Sequence, residues 1–264
     1  AIMADPAIVA LNSLLRSASI DDHAQALDLA SAAIRAAKGN APDLAAAQHA
    51  RVVALLKLDR YDDALRAIAE GGDALEKQCM FEKAYALYKT GDLAGAEVVL
   101  KAAGPAAGRL KRGLKHVAGQ VAYRAEKFDQ AAAFYHELSA NDEDAKYGEE
   151  NDLRINLAAA NAQLQWQGKS WAVPAEEKKP AREDLEAFET AYNAACGCIS
   201  RGEFEQAAML LKRSRDLCEA TEDLSEEEKK AELVPIIVQQ AYVFTRLGRL
   251  EEAAALQKSL DFKE

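Results

Sequence analysis

Apolar positions along the chain follow a helical period, and one short pattern recurs where these stretches begin. An aromatic or aliphatic residue is followed by two variable residues and then by alanine. Five clear copies and a weaker sixth occur, at Tyr61–Ala64, Leu93–Ala96, Phe128–Ala131, Phe204–Ala207, Leu250–Ala253 and His23–Ala26. The alanines are 38, 32, 35, 76 and 46 residues apart, and the interval of 76 predicts one degenerate copy between two good ones.

A spacing in the mid-thirties indicates a repeat architecture. Helix pairs of about 34 residues are typical of the tetratricopeptide (TPR) repeat. We therefore predict an all-α fold, a right-handed superhelical TPR solenoid of about seven helix pairs, one of them degenerate. The predicted single array over residues 1–264 has approximate repeats 5–41, 42–75, 76–104, 111–140, 150–180 (the degenerate one), 185–220 and 231–262.

Small residues set the phase of the repeats. Twelve residues before the signature alanine, the chain carries Ala84, Gly119, Ala195 and Ala241, with Val52 and Leu14 as looser matches. A small residue at this place lets the first helix of a pair approach the second closely. Glycine precedes the signature at Gly91, Gly202 and Gly248, where a left-handed residue ends a helix.

Two segments depart from the pattern. Pro174 and Pro180 lie in residues 171–182 and argue against an ordinary second helix in the fifth repeat. The highly charged segment 221–232 either extends the preceding helix or forms a loop.

Composition narrows the class of function. Half of the residues are apolar and only 6% are aromatic, which favours closely stacked helices over a sheet sandwich. The net charge of −10 argues against nucleic acid as the main ligand, because phosphate binding requires a basic face. One basic run, Arg109 to Lys115, is a candidate contact for RNA or an acidic peptide, although such runs are more often solvated helix faces.

Other classes of protein have little support. No apolar run is long enough to span a membrane, and the N-terminus lacks the features of a signal peptide, so we expect a cytoplasmic protein. The four cysteines lack metal-ligand spacing, and we expect buried free thiols. We see no catalytic triad or phosphate loop and expect no enzyme activity, metal, cofactor or small-molecule ligand.

Five blocks beside the repeats are more specific than the repeats themselves. They read FEKAYALY at 81–88, GQVAYR at 119–124, NLAA at 156–159, YNAAC at 192–196, and EL at 232–233 leading to QAY at 240–242. In this order they resemble the family of the 72-kDa protein subunit of the eukaryotic signal recognition particle. The similarity runs from about residue 76 to 260, whereas the first 75 residues match only as generic repeats.

The resemblance implies a scaffold for co-translational targeting of secretory proteins to the endoplasmic reticulum. In that family a TPR array holds the C-terminal segment of the 68-kDa subunit, and a separate basic region, expected outside this fragment, contacts the RNA. An alternative is a TPR co-chaperone or adaptor that binds acidic C-terminal peptides. Asn156 and Asn193 resemble the asparagines of such carboxylate clamps, but the accompanying lysines and second asparagine are missing.

The first helix of each TPR pair lines the concave face of the solenoid, and this places the candidate binding residues. The candidates are Tyr85, Tyr88, Lys89, His116, Gln120, Tyr123, Arg124, Asn156, Tyr192, Asn193, Gln239 and Tyr242, with His49, Lys57, Phe81 and Arg246 at related positions. Tyrosine with amide and basic groups suits an extended or helical peptide. The same spacing also fits aromatic rings buried between helices, and both interpretations stay open at this point.

Overall fold

The computed structural model describes residues 22–37, 41–103, 108–140, 149–180, 182 and 185–260. The chain divides into two compact units, an N-terminal unit of residues 1–125 and a C-terminal unit of residues 126–264. The division falls inside the predicted fourth repeat. Residues 5–21, which would hold the first helix of the predicted first repeat, lie outside the described part of the chain.

In its described residues the N-terminal unit has seven α-helices. They are α1 (His23–Ala36), α2 (Ala41–Lys57), α3 (Tyr61–Glu70), α4 (Gly72–Gln78), α5 (Met80–Thr90), α6 (Leu93–Ala102) and α7 (Gly108–Arg124). Each helix packs on the next, and α2 and α5 also contact each other, as do α5 and α7. Contacts between near neighbours in sequence are what a repeat array requires.

The C-terminal unit has six α-helices and two short 3-10 helices in its described residues. They are α8 (Phe128–Ser139), α9 (Glu150–Trp166), the 3-10 helices Ser170–Ala172 and Ala175–Lys178, α10 (Phe188–Ser200), α11 (Phe204–Ala220), α12 (Glu226–Arg246) and α13 (Leu250–Ser259). The part of the chain that the structure describes contains no strand, and the all-α prediction is confirmed.

Each copy of the recurring pattern marks the start of a helix. Helices α1, α3, α6, α8, α11 and α13 each begin at the first residue of a copy of the pattern. The six alanines that complete the copies are all buried, with 0 to 7% of their surface exposed. The pattern therefore fixes both where the helix begins and which of its faces packs inward.

Small buried side chains from the two helices of a pair lie in one shared apolar core. Ala84 of α5 and Ala96 of α6 belong to one apolar core and have no exposed surface. Ala195 of α10 and Ala207 of α11 share the core of the C-terminal unit in the same way. The predicted phase is confirmed in both pairs.

A left-handed residue precedes each of the five clear copies by two positions. The φ angles are 56° at Asp59, 89° at Gly91, 59° at Glu126, 77° at Gly202 and 75° at Gly248. In four of these turns the next residue donates its N–H to a carbonyl five residues earlier, as from Asp92 to Leu87 at 2.9 Å, which satisfies the end of the helix. Glycine marks three of the turns in the sequence, but an aspartate and a glutamate occupy the other two.

The segment after α9 keeps the turn but lacks an α-helix. Gly168 has a φ of 76°, and five residues later Val173, 3% exposed, takes the place of the signature alanine. Two 3-10 helices follow instead of an α-helix, because Pro174 and Pro180 cannot donate backbone hydrogen bonds. Twelve residues before Val173, the small packing residue is replaced by Asn161, which is buried.

The charged segment 221–232 forms a short loop over residues 221–225 and then begins the following helix, which was not expected. Helix α11 ends at Ala220 and α12 begins at Glu226, so most of the segment is the first part of the following helix. The reason is a capping box: the Ser225 N–H donates to Glu228 Oε2 at 2.8 Å, and the Glu228 N–H donates to Ser225 Oγ at 3.3 Å. This arrangement satisfies N–H groups that would otherwise lack partners at the start of a helix.

We expect Ala131→Glu to destabilise the protein by about 3 kcal/mol or more, because Ala131 is fully buried and the new carboxylate would lack a partner. Ala133→Glu is the matched control, since Ala133 is exposed on the same helix. Chemical denaturation followed by circular dichroism measures both. Equal stability of the two variants would contradict the packing described for α8.

Glu126→Gly should stabilise the protein by about 0.5–1 kcal/mol, because glycine adopts a positive φ without the strain that a β-carbon causes. Gly202→Ala is the reverse test and should destabilise by a similar amount. A β-carbon on Gly202 would meet no atom within 4 Å, so the effect there is purely conformational. Thermal unfolding of both variants checks the pair, and a destabilised Glu126→Gly variant would argue against a strained turn.

Candidate functional site

Four of the predicted binding residues lie together in the N-terminal unit. Tyr85 lies between three other rings: the ring centroids of Tyr61, Phe81 and Tyr88 are 6.2, 6.4 and 6.4 Å from its own. Lys89 and Arg124 complete what we call the Tyr85 cluster. The contacts between Tyr61 and Tyr85 join α3, the second helix of one repeat, to α5, the first helix of the next.

The two cations lie over the rings. Lys89 Nζ is 5.4 Å from the Tyr61 centroid and 5.9 Å from that of Tyr85, and Arg124 Cζ is 5.2 Å from the Tyr88 centroid. Arg124 Nη1 also donates to the Tyr88 carbonyl at 2.9 Å. The hydrogen bond with Tyr61 raises the pKa of Lys89 above its ordinary value, which keeps the lysine charged at neutral pH. Cation–ring contacts of this kind contribute about 0.5–1 kcal/mol each at exposed positions.

The partial burial of the tyrosines in this cluster is compatible with both interpretations, rings packed between helices and rings that contact a ligand. Tyr85 and Tyr88 are half-buried and pack partly against the apolar core around Ala84. Lys89 and Arg124 are exposed. Part of each tyrosine ring therefore packs in the apolar core of the repeat, and the two cations lie at the exposed edge of the cluster.

The other predicted residues of this unit are more scattered. His116, Gln120 and Tyr123 are half-buried along α7, the helix that also carries Arg124. Lys57 is exposed at the end of α2. His49 Nε2 lies 2.7 Å from Glu82 Oε1, and this hydrogen bond raises the histidine's pKa.

The C-terminal unit repeats the arrangement with three residues, which we call the Tyr242 trio. The Phe204 and Tyr242 centroids are 6.3 Å apart, and Arg246 Cζ is 4.6 Å from the Phe204 centroid. Arg246 Nη1 donates to the Tyr242 hydroxyl at 3.0 Å. Tyr242 and Arg246 follow Ala241 by one and five residues, as Tyr85 and Lys89 follow Ala84.

The remaining candidates lie elsewhere on the helices of this unit. Gln239 is half-buried on α12. Tyr192 packs partly against the apolar core of the unit, and Asn193 Nδ2 donates to the Ile155 carbonyl at 3.5 Å, beside the half-buried Asn156. Asn193 thus joins α10 to α9.

Sequence reasoning missed the two aromatic residues that complete these groups. Tyr61 and Phe204 begin the signature pattern, and the sequence interpretation used them only to locate helices. Their residue type was the available signal. Each is an aromatic residue at the start of a second helix, and the first helix of the following repeat carries a tyrosine and a cation at matching positions. After Phe128, the matching positions on α9 are occupied by Ala162 and Trp166, and Phe128 itself is buried.

A polar network surrounds the segment that replaces the second helix after α9. Asn161 Nδ2 donates to Glu177 Oε2 at 2.7 Å, and His136 Nε2 lies 3.4 Å from Glu177 Oε1. Gln165 Nε2 donates to the Asn161 carbonyl at 3.3 Å and its Oε1 accepts from Arg201 Nη1. Glu177 therefore ties the 3-10 segment to α8 and α9 at the place where an alanine contact is lost.

Two expectations about charge and sulfur need correction. The basic run was expected to be a solvated helix face, but Arg112 is only 7% exposed; the side chain of Arg109 lies outside the described part. Three cysteines are buried free thiols as predicted, whereas Cys196 is half-buried. Burial raises the pKa of Cys79 to about 12 and those of Cys196 and Cys198 to about 11, which makes all three poor nucleophiles.

Comparison with known proteins identifies the repeats. A family model described as "Putative TPR-like repeat" matches residues 21–163, more than half of the chain. Signal recognition particle subunit SRP72 of Canis lupus familiaris and that of Homo sapiens are each 32% identical over 81% of this chain, and that of Caenorhabditis elegans is 30% identical over 95%. The chain belongs to the SRP72 family.

The comparisons confirm the resemblance read from the five blocks and confirm a TPR-like α solenoid. The SRP72 match also extends further than those blocks indicated. The family model begins at residue 21 and the Caenorhabditis elegans match covers 95% of this chain, so both reach into the first 75 residues, where only generic repeats were expected. The chain spans about a third of the length of these relatives, 31% of the first two and 37% of the third. In the part of the chain that the structure describes, every helix is too short or too polar to cross a membrane.

Replacing Glu177 should show how much the polar network around the 3-10 segment contributes to stability. Glu177→Ala leaves the buried Asn161 amide without its acceptor, and we expect a loss of about 1–2 kcal/mol of stability. Glu177→Gln retains an acceptor oxygen for that amide and should cost clearly less. Urea denaturation measures both variants, and equal losses would show that the Asn161 contact contributes little.

Proposed function

We propose that this chain is a protein-binding scaffold of the signal recognition particle and serves co-translational targeting of secretory proteins to the endoplasmic reticulum. The observation that carries the proposal is the SRP72 similarity over four-fifths of the chain or more. The role is binding rather than catalysis, in the cytoplasm. The ligand is the C-terminal segment of the 68-kDa subunit, and the RNA contact of the whole protein belongs to a region outside this chain.

We propose that the Tyr85 cluster in the N-terminal unit and the Tyr242 trio in the C-terminal unit each provide contacts for the bound segment. Half-buried rings supply rigid apolar area, and they lose little conformational freedom when a peptide covers them. Lys89, Arg124 and Arg246 supply donors for peptide carbonyls and carboxylates. Although the chain has a net charge of −10, its charge at these three positions is positive, which favours acidic or carbonyl-rich stretches of the partner there.

The other first helices carry further proposed contacts in each unit separately: His116, Gln120 and Tyr123 in the N-terminal unit, and Asn156, Tyr192, Asn193 and Gln239 in the C-terminal unit. Tyr85 and Tyr192 pack partly on apolar cores, so replacing either ring by alanine changes stability together with binding. Exposed residues give a cleaner test. Lys89 and Tyr242 are suitable, because both are exposed and lie outside the core clusters.

Calorimetry with a C-terminal fragment of the 68-kDa subunit tests the proposal. We expect Lys89→Gln and Tyr242→Ala each to weaken binding by about tenfold, the loss typical of a contact worth about 1.4 kcal/mol. Lys101→Gln is the matched control, since Lys101 is an exposed lysine on a second helix, and it should bind like the parent. Circular dichroism checks that helicity is unchanged.

The outcomes of this experiment test separately the identity of the partner and the residues that bind it. No binding of the parent chain at high micromolar concentration would refute the partner. Binding that is insensitive to both substitutions would refute the surface and leave the partner standing. A co-chaperone adaptor would instead lose affinity when the C-terminal carboxylate of the peptide is amidated, so an amidated fragment belongs in the same series.

A further inference from the structure

Three side chains with metal-binding atoms converge in the N-terminal unit, away from the Tyr85 cluster's cations. His49, Cys79 and Glu82 each offer one donor atom, and all three atoms lie within 4.8 Å of one another. We propose that they form a zinc site. The proposal goes beyond the scaffold function, since it concerns how the repeats are held together.

The fold explains why these residues meet. Cys79 immediately precedes α5 and Glu82 lies in its first turn, so the two side chains are three residues apart and share a helix face. His49 comes from α2, which packs on α5. The ligands therefore join the first helices of two consecutive repeats, across 30 residues of chain, and their positions are set by helix packing.

The donor set is the one that zinc prefers. A thiolate, an imidazole and a carboxylate bind zinc at about 2.3, 2.0 and 2.1 Å, which puts tetrahedral donors about 3.3–3.6 Å apart. The present separations bracket this range: His49 Nε2 and Glu82 Oε1 are 2.7 Å apart, and no pair exceeds 4.8 Å. Small side-chain rotations are enough to admit the ion. The thiolate disfavours Mg²⁺ and Ca²⁺, which bind oxygen ligands.

The proposed site is closed by the apolar core on one side and open to solvent on the other. Cys79 is fully buried in the apolar core with Val52 and Ala64, whereas 36% of the His49 side chain and 13% of the Glu82 side chain are exposed. An ion enters past His49 and meets the sulfur on the inner side. Binding releases the thiol proton of Cys79 to solvent. The proton that His49 Nε2 donates to Glu82 also leaves that nitrogen, either to solvent from the imidazolium or by exchange to Nδ1 in the neutral ring, so that two metal bonds replace the His49–Glu82 hydrogen bond and water takes the fourth position.

Cobalt(II) tests the site directly, because a thiolate ligand gives Co²⁺ a charge-transfer band in the near ultraviolet. We expect the reduced 264-residue chain to bind one Co²⁺ with this band and Zn²⁺ to displace it. Cys79→Ser should abolish the band. Cys218→Ser is the matched control, since Cys218 is another buried free thiol and lies in the C-terminal unit, and it should retain the band.

A second series keeps the test independent of the folding of Cys79→Ser. His49→Gln and Glu82→Gln should each weaken zinc binding, measured by calorimetry, by more than the roughly 10–100-fold typical of a residue outside the ligand sphere. Zinc should raise the melting temperature of the parent and leave that of Cys79→Ser unchanged. Absence of the band, its persistence in Cys79→Ser, or zinc binding unaffected by the two glutamine variants would overturn the proposal.

Discussion

Close approach of two helices through side chains of minimal size is the constraint on which this structure depends. Ala84 and Ala96 share one apolar core, as do Ala195 and Ala207, and none of the four retains exposed surface. Interior packing at this density leaves no room for another methylene group without backbone movement. The distance between the two helices is therefore fixed, and the larger apolar residues around each pair of alanines must fill the space that this distance leaves. This explains an alanine-rich chain with few aromatic residues.

Much of the fold follows from local chemistry and could be read from the sequence. The signature pattern gives the first residue of six helices, because its alanine must face inward from the first turn. Glycine at Gly91 and Gly202 gives the turns. Asp59 and Glu126 adopt the same left-handed conformation without any local preference strong enough to reveal it, since the geometry of the flanking helices imposes it. The helix start at Glu226 depended on a capping box that sequence interpretation overlooked.

The candidate site was predictable only in part, for a related reason. Helical spacing correctly brought Tyr85, Tyr88 and Lys89 to one face of α5. It could not assign Tyr61 to them, because that contact crosses from one repeat to the next. His49 and Cys79 are further apart still in sequence and carry no spacing motif. Residues that meet through packing between repeats leave no periodic trace in the chain.

The junction between repeats also has a mechanical meaning. In both the Tyr85 cluster and the Tyr242 trio, the ring that begins a second helix contacts the first helix of the following repeat. A ligand that covers Tyr61 and Tyr85 together therefore touches both sides of one junction and resists any bending or twisting there. If the proposed partner binds there, its contacts stiffen this junction, and the two repeats that it joins are less compliant with the partner bound than without it.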